Sequence, residues 1–191
     1  MGIRKIAMRM QFFGDSYDVV KRFLLRSVAP NAEWVAFPMF TDNATADDVR
    51  ALESFLGVRV VAPTPLSGTT DRAQLFSALA DHRNVFLDPD TGIKLERTNG
   101  ADSIKYVFAP ELIALCKESP ERLLLVFDQS VPRGAEEAAI EKKLAHFRAA
   151  GIHGFAYLSH ACFVVLSATK SNCETAKNNL LACGLPNSRL L

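Results

Sequence analysis

The feature that most limits how this chain can fold is a regular alternation of two hydrophobic periods. Short apolar runs bounded by turn residues take turns with segments whose apolar residues recur every three to four positions. Ile6, Met8, Met10 and Phe12 alternate with Lys5, Ala7, Arg9 and Gln11, a strand pattern broken at Gly14-Asp15-Ser16. Val19, Val20, Phe23 and Leu24 then follow helical spacing up to Pro30. Residues 33–40 read as a strand, with Pro38 near its end. Thr45 suits the N-cap of a helix through Val49, Leu52 and Leu56 that Gly57 closes. Residues 58–62 make a short β-branched strand, and Thr70 caps a helix through Leu75, Phe76 and Leu79.

Residues 84–88 form a buried strand ending in an acid, and residues 88–100 a long polar loop. Pro110 opens a helix. Residues 122–128 are the most apolar strand and again end in Asp. A helix over 135–150 follows, then two strands over 154–159 and 161–168 joined at Ser159-His160. Ser171-x-x-Glu174 reads as a capping box for a last helix ending near Gly184. Strands that alternate with helices predict an α/β fold: a mostly parallel, doubly wound sheet with helices on both faces. The final hairpin adds an antiparallel edge. At 191 residues with 49% hydrophobic content, one domain spanning 1–191 has enough apolar mass for its own core.

The longest apolar runs, 123–127 and 161–166, are far short of the roughly 20 residues of a membrane span. The first ten residues lack the unbroken apolar stretch of a secretion signal. A soluble, cytoplasmic protein with no membrane partner is expected. Cys116, Cys162, Cys173 and Cys183 have neither CxxC spacing nor a histidine at zinc-finger distance, so buried or incidental thiols are expected and no metal site. The net charge of +1 conceals a pattern. Residues 1–30 carry six Lys/Arg against two Asp, residues 142–191 carry six against one Glu, and the middle is left at −8. Basic ends can attract phosphate, and solvated helix faces explain them equally well.

In open α/β sheets, ligands sit beyond the carboxyl ends of the strands. Three predicted strands finish on or just before acids: Asp15, Asp88 with Asp90, and Asp128. All three are expected at one edge. A carboxylate ending an apolar strand is partly desolvated, which suits a site, although a helix cap or turn uses the same residue. In Asp88-Pro89-Asp90-Thr91-Gly92, Pro89 fixes the turn, and Gly92 permits close approach of a ligand or a positive φ. The two acids can bind Mg²⁺, orient water or stabilise a developing cation. Around the first turn stand Phe13, Gly14, Asp18 and Lys21. Asp18 and Lys21 are spaced to pair along a helix, and Phe13 or Tyr17 could stack on a base or join the core. Gln129 beside Asp128 suits reading the edge of a base, and Lys94, Arg97, Lys105 and Arg133 could hold phosphates. His160, at the hairpin turn, carries the usual histidine chemistry near neutral pH. There is no Ser-His-Asp motif, Walker loop or GxGxxG.

Asp88-Pro89-Asp90 resembles the Asp-Pro-Pro-Tyr motif of adenine-N6 methyltransferases. Asp90 and Thr91 replace the second proline and the aromatic, and the glycine-rich S-adenosylmethionine loop is missing, which argues against methyl transfer. A broader likeness covers most of the chain. Gly14-Asp15-x-x-Asp18-x-x-Lys21, Phe86-Leu87-Asp88-Pro89-Asp90-Thr91-Gly92, Lys105-Tyr106-Val107 and a strand ending in Gln129 are similar to a set of small bacterial proteins. That set resembles anti-phage DNA glycosylases, which excise glucosylated hydroxymethylcytosine. Asp88-Pro89 and Ser159-His160 are also similar to uracil-DNA glycosylase motifs, differing in order and spacing.

The resemblance implies a DNA glycosylase that needs no cofactor and has modified phage DNA as its partner. Asp88, Asp90 and Asp15 would be its catalytic carboxylates. Phe13, Gly14, Asp18, Lys21, Gly92, Asp128, Gln129, Arg133 and His160 would contact the substrate. The alternatives are a methyltransferase-like enzyme of nucleic acid and a non-catalytic binding module.

Overall fold

A computed structural model describes residues 13–41, 43–98 and 100–191. The strand expected over residues 6–12 lies outside them. The described elements are α1 (Ser16–Val28), β1 (Val35–Phe37), α2 (Ala46–Leu56), β2 (Arg59–Val60), α3 (Arg72–Ser77), β3 (Asn84–Leu87), β4 (Gly92–Lys94), β5 (Tyr106–Phe108), α4 (Ala109–Glu118), β6 (Leu123–Asp128), α5 (Glu136–Ala149), β7 (His153–Leu158), β8 (Cys162–Ser167) and α6 (Lys170–Ala182). Six strands form one sheet in the order β2-β1-β3-β6-β8-β7, while β4 and β5 pair separately. The first four are mutually parallel, and β8 runs antiparallel to both β6 and β7. The α/β class, the mostly parallel sheet and the terminal antiparallel pair are as the alternation predicts.

Every residue of β3 and β6 is buried, as a strand covered on both faces requires. Side-chain alternation divides the core into two layers. Val35, Leu87, Val126 and Leu166 face α3, α4 and α5. Ala36, Phe86, Phe127 and Val165 face α1, α2 and α6. Arg122 is fully buried and joins elements: its guanidinium donates to the carbonyls of His82 (2.9 Å), Leu115 (2.6 Å) and Ala80 (2.5 Å).

The cap expected at Thr45 is present and is a capping box. Thr45 Oγ1 accepts from the Asp48 N–H at 3.2 Å, the Asp48 carboxylate accepts from the Thr45 N–H at 2.9 Å, and Gly57 ends α2 at φ +74. Two caps differ from expectation. Asp71, not Thr70, caps α3, because Thr70 Oγ1 accepts instead from the Ser67 N–H at 2.8 Å. Ser171 lies inside α6, which starts after Thr169, and Glu174 pairs with Lys170 at 3.3 Å. The stretch 88–100 is also more than loop. Ile93 is buried at 1% exposure, and that anchors β4 beside β5 in parallel register, Ile93 opposite Val107.

The antiparallel pair is arranged with β8 inside and β7 at the edge. Antiparallel bonds between Ala156 and Leu191 at 3.1 and 2.9 Å cover part of that edge. Cys116, Cys162 and Cys173 are buried and Cys183 is exposed, all as free thiols. No helix of the described residues is long and apolar enough to cross a membrane.

Candidate functional site

The carboxyl ends of β1, β3 and β6, together with the β7–β8 turn, form one edge of the sheet, because Asp128 and Leu158 both lie opposite Cys162. The start of α1 sits against this edge. Tyr17 packs on Phe127 with ring centroids 5.9 Å apart and on His160 at 4.7 Å. Asp15, Asp88 and Asp128 therefore meet at one edge.

The motif Gly14-Asp15-x-x-Asp18-x-x-Lys21 builds the helix start. Asp15 is the N-cap, its Oδ1 accepting from the N–H groups of Tyr17 (2.8 Å) and Asp18 (3.1 Å). Gly14 takes φ +81 and its N–H donates to Asp18 Oδ2 at 2.9 Å. One turn on, Lys21 reaches down to the sheet. Its Nζ donates to Asp18 Oδ1 at 3.1 Å and to Asp88 Oδ2 at 2.8 Å, and lies 4.8 Å from the centre of the Phe127 ring. Asp18, Lys21 and Asp88 are all buried. The expected i,i+3 pair is present and is extended by a third member 67 residues away.

Two carboxylates around one ammonium leave this buried cluster short of positive charge. Burial pushes the Asp88 carboxyl up, and the pull of Lys21 does not fully offset it. Burial works against the Lys21 ammonium, but Asp88 and then Asp18 outweigh it, so its pKa is raised. Lys21 is held as an ammonium, and burial leaves Asp88 more readily protonated than an ordinary aspartate.

Asp128 lies on the other face. Leu87 is opposite Val126, which sets Asp128 one position beyond Asp88 and turns it toward α5. It is fully buried. Oδ2 accepts from Lys143 Nζ at 2.5 Å, and Oδ1 accepts from the Ile93 N–H at 3.2 Å and from Ser130 Oγ at 2.7 Å. Ser130 Oγ is also 2.8 Å from Lys143 Nζ. This carboxylate fastens β4 to the end of β6. Gly92 serves the same junction: a Cβ there would lie 2.1 Å from Asp128 Oδ1, and its φ is +135. The close approach expected at Gly92 is made by Asp128. Both residues are scaffold beneath the edge.

The groups left at the surface are few. Asp90 is exposed, with Thr91 Oγ1 donating to it at 3.4 Å. Phe13 is exposed on one side and meets Phe55 edge-on at 5.4 Å. His160 is exposed, with Nε2 3.4 Å from Ser16 Oγ. The side chains of Gln129 and Arg133 are exposed in the β6–α5 loop, and the Gln129 N–H donates to the Thr91 carbonyl at 3.0 Å. Lys94 lies 4.1 Å from the centre of the Tyr106 ring. Met39 and Ala62, just beyond β1 and β2 at this edge, hold φ near +49 and +48. Non-glycine residues pay for that conformation, and such strain gathers at functional sites.

The basic end of the chain forms no single patch: α5 and α6, which carry most of it, cover opposite faces. Lys143 was not foreseen as a site residue, yet its position marks it. Ile140, Lys143, Leu144 and Phe147 occupy one helical stripe and all are buried, so a lysine stands where an apolar residue is the rule. Among the described residues no three His, Cys, Asp or Glu side chains converge as metal ligands. No protein-family model, curated protein or solved structure matches the chain.

Proposed function

We propose that the carboxyl edge on the α1 face cleaves the N-glycosidic bond of a modified base in DNA. The observation that carries this reading is the buried Asp18–Lys21–Asp88 cluster two residues before an exposed carboxylate, Asp90. The cluster fixes the strand end and the turn from which Asp90 projects. In hydrolysis the C1′–N bond breaks and its electron pair leaves with the base, which takes a proton. Water adds to C1′ and gives up a proton. A carboxylate at C1′ stabilises the sugar cation and accepts that proton. Asp90 fills that role and Asp88 positions it, while Asp15 is taken up in capping α1. The target base must leave the duplex stack. Phe13 and the Tyr17–His160 pair offer flat surfaces to receive it, Gln129 an amide for its edge, and Arg133 a cation for the backbone.

The test is incubation with phage DNA carrying glucosylated hydroxymethylcytosine and with plain DNA. Released bases are read by mass spectrometry and abasic sites by alkali lability. Base release that Asp90→Asn abolishes, at unchanged unfolding midpoint, is expected. No release from any modified DNA overturns the reading. One observation favours a non-catalytic binding module instead: Asp15, Asp18, Asp88 and Asp128 all have structural partners. Saturable binding of DNA or a protein without turnover would support it, and micromolar binding of S-adenosylmethionine would support a methyltransferase-like enzyme.

A further inference from the structure

The outward face of α1 is left bare by the rest of the described residues. Their exposed large hydrophobic side chains are Val19 at 54%, Phe23 at 37% and Phe13 at 36%. Phe13 belongs to the carboxyl edge described above. Val19 and Phe23 stand one turn apart on the side away from the sheet, since Asp18, Lys21, Leu24, Leu25 and Val28 face inward. Apolar side chains scattered singly over a surface are ordinary, whereas neighbours on one face mark a contact. The same stripe starts at Asp15 and runs on to Arg26, because positions 15, 19, 23 and 26 recur with the helical period. Asp15 caps the helix through Oδ1, and its Oδ2 is free among the described residues. Arg26 is exposed and pairs with no acid among them. Outward, α1 therefore presents an acid, a valine, a phenylalanine and an arginine in that order.

We propose that this face binds a second copy of the chain, with the two α1 helices antiparallel across a two-fold axis. The order of the stripe selects that occupant. A partner acidic throughout would meet Asp15, a basic one would meet Arg26, and a copy laid parallel would set arginine on arginine. About an axis level with residue 21, Val19 faces the partner's Phe23, and Arg26 comes level with the partner's Ser16, beside the partner's Asp15. Apolar groups meet at the centre and opposite charges at both ends. Arg26 swings to this position from α2, where its Nη2 lies 3.8 Å from the place of a Cβ on Gly57. α1 runs down the middle of a three-helix layer: Phe55 of α2 packs on Phe13 and against Arg22, and the Asn179 amide of α6 donates to the Val28 carbonyl. A copy centred on α1 thus brings α2 and α6 into the interface as well, as the usual area of about 800 Å² per partner requires. The dimer stands or falls apart from the proposed reaction.

Sedimentation equilibrium of the full chain from about 1 to about 500 µM is the test, and a monomer–dimer equilibrium with Kd on the order of 10 µM is expected. Val19→Asp and Phe23→Asp should each weaken it at least about tenfold, with far-ultraviolet circular dichroism unaltered because both side chains are exposed. Arg26→Glu brings acid to acid at both ends and should weaken it about tenfold. Adding Ser16→Arg to the same chain supplies a cation at the opposing position and should restore most of the affinity, a rescue that mere damage to the monomer would not show. A chain monomeric throughout that range, a dimer of unchanged affinity in Phe23→Asp or Arg26→Glu, no recovery on adding Ser16→Arg, or association that runs on past the dimer would overturn the proposal.

Discussion

Replacing Gly92 by alanine tests the junction between β4 and β6. The new Cβ would stand 2.1 Å from Asp128 Oδ1 and 3.0 Å from Asp128 Cα, in backbone at φ +135. Holding alanine in that region costs about 1–3 kcal/mol. The carboxylate cannot remain in place, so it gives up Lys143 Nζ at 2.5 Å, the Ile93 N–H and Ser130 Oγ. Lys143 is 8% exposed, so its ammonium stays buried without its partner, a one-sided break that costs about 3–5 kcal/mol. Together these give roughly 4–8 kcal/mol, a large share of the ~5–15 kcal/mol that holds a typical domain. Urea denaturation measures the loss, and a double-mutant cycle assigns it. Once Asp128→Ala has removed the carboxylate, Gly92→Ala has less to displace, so the double variant should fall short of the summed losses by about 2 kcal/mol or more. A Gly92→Ala variant within about 1 kcal/mol of the parent, or strict additivity, would refute the account.

Three further outcomes are expected. Because the Lys21 pKa is raised, its ammonium stabilises the fold fully below the ordinary lysine value of 10.5, and that contribution is lost as pH rises through the raised value. Denaturation between neutral and strongly alkaline pH should therefore show a loss in the parent that Lys21→Met lacks. Arg122→Lys should cost about 3 kcal/mol or more by chemical unfolding, since an ammonium cannot span the carbonyls of Ala80, His82 and Leu115 as a guanidinium does. Burial pushes the thiols of Cys116 and Cys173 to about 12 and that of Cys162 to about 11, so Ellman's reagent should titrate Cys183 alone in the native protein and all four cysteines after unfolding.

What could be read from the chain alone divides along physical lines. Hydrophobic period is a local property, and it located β3, β6, α2 and α5 because each buries a face that the sequence spells out. It passed over β4, whose three residues are too few for a period and whose anchor, the bond from the Ile93 N–H to Asp128, comes from 35 residues away. The i,i+3 spacing of Asp18 and Lys21 was legible for the same local reason. Their link to Asp88 was not, because it depends on how α1 lies on the sheet. The gathering of Asp88 and Asp128 at one edge follows from strand direction, whereas Asp15 is brought there by the packing of the start of α1 on Phe127 and His160. The division of Asp88 and Asp128 between two faces follows from register, and a shift of one residue would have reversed it.

The placement of β8 between β6 and β7 also constrains how the molecule is made. As the chain leaves the ribosome, β6 can pair with β3 at once, but its other flank stays open until residue 167 has emerged. The layer over α1 waits as well, because the amide of Asn179 in α6 donates to the Val28 carbonyl at the end of α1. Between the emergence of β6 and that of β8 the nascent chain thus presents an unfilled strand edge beside bare apolar side chains, the kind of surface that holdase chaperones shelter.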